Sequence, residues 1–65
     1  MIGSRIKVEM KGSQRNVLEG TLNSVDDYLN LHLQETVEIV DGERARSLGS
    51  VILRGNNIIL ISPVE

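Results

Sequence analysis

A chain of 65 residues with seven basic and nine acidic side chains, a formal charge of −2 and no cysteine makes one small domain with a marginal core, because at this size only about 60% of the unfolded surface becomes buried. Disulfides and thiolate metal sites are excluded, a single histidine without a histidine or cysteine companion argues against zinc, and the acidic balance argues against gripping nucleic acid through a broad cationic field. The expected staple for such a core is oligomerisation, with residues 1–65 forming the domain.

The chain begins Met1-Ile2-Gly3-Ser4 and passes at once into alternating residues. That leaves no room for a secretion signal, and the longest apolar runs are too short to span a bilayer. A cytoplasmic protein with no membrane part is the expectation. Ile6, Val8 and Met10 alternate with Arg5, Lys7, Glu9 and Lys11, which predicts a first strand with one buried and one wet face. The polar turn Lys11 to Asn16 leads into Val17 to Val25, where Leu18, Gly20 and Leu22 share one side and complete a hairpin. Gly20 reads as a bend position in this strand. Asp26-Asp27 is a second turn signal. Beyond it, Leu29, Leu31, Leu33, Val37 and Ile39 keep strict parity, opposite Asn30, His32, Gln34, Thr36 and Glu38, in a strand long enough to bend across a small barrel. His32 is expected as a surface residue. Asp41-Gly42 predicts a type I′ turn, in which Gly accepts a positive φ. Arg44 to Leu53 is a fourth strand with Gly49 as a kink. Lys7, Lys11, Arg15, Arg44 and Arg46 read as solubilising charges.

Arg54-Gly55-Asn56-Asn57 is a further tight turn before Ile58-Ile59-Leu60-Ile61, and no stretch has a helical period. The last run is apolar on both faces and lies on a sheet edge, so it needs a cover. A strand of another subunit is the expected cover, and a head-to-tail contact of that kind closes a ring or grows a fibre.

Two groups of residues carry a family resemblance. Gly20-x-Leu22-x-x-x-Asp26-x-x-Leu29-Asn30-x-x-Leu33 resembles the first Sm motif, and Leu53-Arg54-Gly55-Asn56-Asn57-Ile58 resembles the second, at the spacing of short archaeal members. The chain is thereby identified as a member of the archaeal-type Sm-like (LSm) family. The bacterial Hfq branch fits less well, since it carries a Lys-His pair where this chain has Arg54-Gly55. The resemblance implies an all-β fold, a strongly bent five-stranded antiparallel SH3-like barrel, assembled into a homo-oligomeric ring of six or seven subunits through the last strands. It further implies binding of uridine-rich single-stranded RNA around the pore, with no enzymatic activity and no cofactor.

Residue by residue, the resemblance places Tyr28 at the position that stacks on a base and Asn30 at the one that bonds the uracil edge. Arg54 covers the other face, Asp26 fixes the orientation of Asn30 or Arg54, and Gly55 and Asn56 bring backbone and an amide near the base. The chemistry agrees with these roles, since single-stranded RNA is read by stacking splayed bases and bonding their edges. An amide offers a donor and an acceptor, and a guanidinium stacks on rings. Repetition around a ring supplies avidity without a basic surface. The chain departs from the family in lacking room for an N-terminal helix, and in carrying Val25, Leu29 and Asn56 where an aromatic, Met and Asp are frequent. An assembly scaffold without base preference is the leading alternative. A nuclease is the third reading, for which Asp26-Asp27 lacks a further carboxylate at metal-binding spacing.

Overall fold

Alternating Ile6 and Val8 set the centre of the fold, because they leave one face of the first strand and join a core to which every other strand contributes apolar side chains. The computed structural model of the protein describes residues 2–12 and 16–64. In chain order it holds β1 (Arg5–Met10), β2 (Asn16–Val25), β3 (Leu31–Val40), β4 (Glu43–Leu53), a single 3₁₀ turn (Gly55–Asn57) and β5 (Ile58–Pro63). The sheet order is β4-β3-β2-β1-β5 with antiparallel pairing throughout. The expected five-stranded all-β fold is therefore present, with β4 and β5 as its two edges. Among the described residues no helix is long and apolar enough to cross a membrane. The expected turn around residues 13–15, with Arg15, lies outside the described residues.

Ile6, Val8, Leu22, Leu31, Leu33 and Leu53 form the buried core, flanked by Met10, Leu18, Val51, Ile58 and Ile61. Each fully buried aliphatic of this kind contributes about 1.5–3 kcal/mol relative to an exposed one. The β3–β4 hairpin turns through Asp41 at φ 53° and Gly42 at φ 81°, between the paired Val40 and Glu43. These are the two positive φ angles that the anticipated type I′ turn requires.

The strict parity expected along β3 does not hold. Glu35 takes φ 51°, and the register steps from Leu33 opposite Val51 to Thr36 opposite Gly49, so one extra residue is inserted in β3. The pairing with β2 shows the same insertion, from Thr21 opposite Gln34 to Glu19 opposite Val37. Such a bulge exchanges the two faces of everything beyond it. Thr36 turns inward and is fully buried, whereas Val37 and Ile39 move to the face shared by Glu19 and Val17. Leu29 departs from the pattern as well: it precedes β3, takes φ 62° and is 61% exposed. It rims an apolar hollow of about 330 Å³, shared with Ile2 and Val25, at the open end of the barrel.

A polar clamp holds the bulge. Arg5 donates from one guanidinium nitrogen to the Glu35 carbonyl at 2.8 Å and to Thr21 Oγ1 at 3.3 Å, and from the other to Glu19 Oε2 at 3.1 Å. Glu19 is buried, and Arg44 approaches the same oxygen at 3.5 Å. Arg46 faces Glu38 at 3.6 Å. Arg44 and Arg46, expected as free solubilising charges, are thus drawn to carboxylates across the sheet.

Candidate nucleic-acid interface

The β2–β3 loop, residues 26–30, is shaped by one carboxylate. Asp26 Oδ1 accepts the backbone N–H groups of Tyr28 at 2.8 Å and Asn30 at 3.0 Å. An aspartate that bonds the N–H two residues ahead makes an Asx turn, which fixes the local backbone without apolar packing. The Leu29 N–H closes on the Asp26 carbonyl at 3.0 Å, and the Asp26 N–H bonds the Asn30 carbonyl at 3.2 Å. Leu29 reaches its left-handed conformation inside this closed turn. The loop holds its shape although Asp26, Asp27, Tyr28 and Leu29 are all exposed.

The second oxygen of Asp26 does a different job. Asp26 Oδ2 accepts the Asn30 side-chain amide Nδ2 at 3.0 Å, and Asn30 Oδ1 in turn accepts the Gly55 N–H at 2.9 Å. A chain of bonds therefore joins the β2–β3 loop to the turn between β4 and β5. The backbone N–H of Asn30, its side-chain amide and the Tyr28 N–H, in that order, favour the charged form of Asp26. They hold its carboxyl below the ordinary value against the opposing effect of desolvation.

Glycine at position 55 follows from the closeness of the two segments. A Cβ there would collide with the Tyr28 carbonyl oxygen and sit 2.9 Å from the Leu29 carbonyl oxygen. Every atom in that clash belongs to backbone, so no side-chain rotation relieves it.

Of the six residues singled out in the sequence, Asp26, Asn30 and Gly55 are thus bonded into one network, and the backbone of Tyr28 takes part. The Tyr28 ring is 82% exposed. Arg54 and Asn56 are exposed on the adjoining turn, and neither side chain makes a hydrogen bond or ion pair among the described residues. The parity expected of β3 sets Leu29 on the core face opposite Asn30, and Tyr28, two residues before Asn30, on the Asn30 side. Instead all three lie in a closed turn ahead of β3, and Leu29 points outward.

The sequence reading passed over one polar pair. Asn23 Nδ2 lies 3.1 Å from His32 Nδ1, so His32 is a half-buried hydrogen-bonding partner rather than a free surface residue. His32 and Asn30 both line a groove of about 410 Å³ that also meets Ile52. A polar residue on each of two neighbouring strands was the available signal, but their pairing depends on the register shift between Leu22 and Ser24.

This surface offers hydrogen-bonding groups beside an aromatic ring and a guanidinium. Asn30 spends one amide hydrogen and one lone pair internally and keeps one of each. Beside it stand an exposed phenol ring and, on the next turn, an exposed guanidinium. Among the described residues no group of three or more His, Asp or Glu side chains gathers as a metal-ligand set.

Comparison with known proteins places this arrangement among relatives. The LSM domain profile matches residues 1–63. The U6 snRNA-associated Sm-like protein LSm6 of Debaryomyces hansenii is 42% identical over 62 residues, covering 95% of this chain and 71% of the relative. The crystal structure of an Sm-like protein, AF-Sm2, from Archaeoglobus fulgidus superposes with a TM-score of 0.90 at 52% identity, covering 98% of this chain and 84% of that one. A heptameric archaeal Sm protein gives a TM-score of 0.87 at 34% identity, with 98% and 90% covered. The Sm protein of Pyrococcus abyssi, solved in complex with a uridine heptamer, gives 0.86 at 30% identity, with 97% and 86% covered.

Proposed function

We propose that this chain, which belongs to the LSM domain family, is the subunit of a ring that binds uridine-rich single-stranded RNA. In this reading Tyr28 stacks on a base, Asn30 bonds its edge and Arg54 lies over its other face. The observation that carries the reading is the Asn30 amide, tied down between Asp26 and Gly55 with one donor and one acceptor still free, beside a tyrosine that is 82% exposed. A large aromatic left in solvent has a use where bases stack, each such contact being worth about 1–3 kcal/mol. The complex of the Pyrococcus abyssi relative with a uridine heptamer supports the same ligand class.

Assembly follows from the sheet edges. Among the described residues β4 and β5 each have one side without a partner strand, and Ile59, Leu60 and Ile52 on them are more than half exposed. Pairing β5 of one subunit with β4 of the next covers both edges and repeats head to tail, which closes a ring. The heptameric archaeal relative supports that closure. The role is RNA binding in the cytoplasm, in RNA processing or ribonucleoprotein assembly or as an RNA chaperone, without catalysis; Asn56 and Gly55 line the base site through the turn they occupy.

The test is competition for labelled oligo-U by unlabelled oligo-U, oligo-C and oligo-A, followed by fluorescence anisotropy at two salt concentrations, on protein sized by light scattering. The proposal expects oligo-U to compete best at both salts, because base reading is less salt-dependent than phosphate contact. It also expects Asn30→Ala to lose binding while keeping the ring. Equal competition by all three oligomers overturns base reading and leaves a scaffold.

A further inference from the structure

His32, the single histidine of the chain, has no part in the base site described above. The β2–β3 pairing steps from Leu22 opposite Leu33 to Ser24 opposite His32, so Asn23 is an inserted residue in β2. A bulge re-aims the side chains it carries, and this one sets Asn23 Nδ2 at 3.1 Å from His32 Nδ1. With an amide N–H against it, Nδ1 accepts and the ring proton sits on Nε2. Among the described residues Nε2 has no hydrogen-bond partner, and it is not sealed from solvent. Asn23 therefore holds the imidazole with a free donor turned away from it.

The groove that His32 shares with Asn30 and Asp26 suits a sugar better than a phosphate. Ser24 faces His32 from β2 and Ile52 from β4, so the imidazole stands between a hydroxyl and an aliphatic that is 74% exposed. A ribose divides in the same way, into a carbon face and a hydroxyl edge. The Asp26 carboxylate, whose charged form its own hydrogen bonds favour, repels a phosphate in that space and admits an uncharged group. Asn30 lies two residues from His32, at most about 7 Å along an extended chain, within the span of one nucleotide. We propose that this groove seats the ribose of the nucleotide whose base Asn30 reads, that the His32 Nε2–H is donated to its 2′-hydroxyl oxygen, and that His32 thereby makes the ring prefer RNA to DNA of the same base sequence. The 2′-hydroxyl is the group by which a protein tells the two polymers apart. This contact rests on Asn30 as the base-reading residue, and adds to it a reading of the sugar.

Competition for labelled oligo-U by unlabelled oligo-U, oligo-dU and oligo-C, read by anisotropy on sized rings at two salt concentrations, is the test. Oligo-dU keeps the base and the phosphates and drops only the 2′-hydroxyl. Wild type is expected to favour oligo-U over oligo-dU by about fivefold or more, the scale of one hydrogen bond repeated over several sites. His32→Phe, which keeps a planar ring without the donor, and His32→Ala should both bring that ratio within about twofold. They should do so by weakening oligo-U alone, with the lead of oligo-U over oligo-C intact. The ratio should persist at both salts, because a hydroxyl carries no charge. Contact with phosphate would act on oligo-U and oligo-dU alike and fade with salt.

If wild type separates oligo-U from oligo-C but not from oligo-dU, the base site stands and the sugar contact falls. The same conclusion follows if the variants keep the wild-type ratio of oligo-U to oligo-dU, including by losing both in parallel, since His32 then touches phosphate or merely supports the sheet. If wild type does not separate oligo-U from oligo-C, base reading by Asn30 fails and this proposal fails with it. If His32→Ala does not form rings, the ratio measured with His32→Phe decides alone. If neither variant forms rings, His32 is required for folding and its assignment to the sugar is withdrawn.

Discussion

Gly55→Ala puts the junction of the two turns under direct stress. The added methyl meets the Tyr28 carbonyl oxygen, and at 2.9 and 3.0 Å the carbonyl oxygen and carbon of Leu29, where ordinary contact begins near 3.4 Å. The obstacle is backbone, so either the β2–β3 loop or the Arg54–Asn57 turn must move by several tenths of an ångström. The 2.9 Å bond from Gly55 to Asn30 Oδ1 is the first casualty. A lost net hydrogen bond costs about 0.5–1.5 kcal/mol, and overpacking adds about 1–3 kcal/mol. Together they come to about 2–4 kcal/mol, and at about 4–8 °C per kcal/mol in a domain this small the Tm should fall by about 8–32 °C. Melting followed by circular dichroism, at matched protein concentration because assembly feeds into Tm, measures the drop. Anisotropy on rings below the transition measures oligo-U binding, which should weaken at least about tenfold as Asn30 loses its anchor. A Tm within about 2 °C of wild type, with oligo-U affinity intact, would refute both the close approach and the part given to the Gly55 N–H.

Three further expectations follow from the geometry. Thr36 is fully buried and its hydroxyl has no hydrogen-bond partner among the described residues, so Thr36→Val should raise stability by about 1 kcal/mol, and an unchanged or lower Tm would count against an orphaned hydroxyl. Tyr28→Ala should weaken oligo-U binding by about 1–3 kcal/mol and leave the melting curve in place, because the ring is 82% exposed; a large loss of Tm would mean that the ring is structural. Folding lowers the Asp26 carboxyl below its ordinary 3.8, chiefly through the Asn30 backbone N–H. Its contribution is therefore complete above that value and disappears as pH falls through the lower, folded one. Titration of the carboxyl carbon by NMR should show a midpoint under 3.8, and a midpoint at or above it contradicts the hydrogen-bonded turn.

Local patterns in the sequence carried most of the architecture. Alternation in Ile6, Val8 and Leu22 and the Asp41-Gly42 turn depend on neighbouring residues, and they appear as expected. The β3 bulge was hidden because Gln34-Glu35-Thr36 is as polar as an outward face ought to be. Nothing local marks Glu35 for a positive φ; the guanidinium of Arg5, from the far side of the sheet, grips its carbonyl. Leu29 misled in the opposite sense, since an aliphatic between two candidate pocket residues reads as core. Its conformation comes instead from the hydrogen bonds that Asp26 collects. That Asp26, Asn30 and Gly55 belong together was legible through their motif resemblance. The bond from Gly55 to Asn30 was not, because it spans segments that only the closed barrel brings together.

The strand order also implies a sequence of events. β1 to β4 join as successive hairpins, each closing a short loop, but β5 must return to β1, where Ile61 meets Val8. Closing so long a loop is entropically the most demanding step and slows the arrival of the contact. The turn that delivers β5 carries Gly55, so docking of the last strand also brings the N–H that fixes Asn30. A chain still waiting for that strand has neither a finished amide nor the β5 edge to offer a neighbour. Completion of the barrel therefore sets the β5 edge and the Gly55–Asn30 bond in place in the same late event.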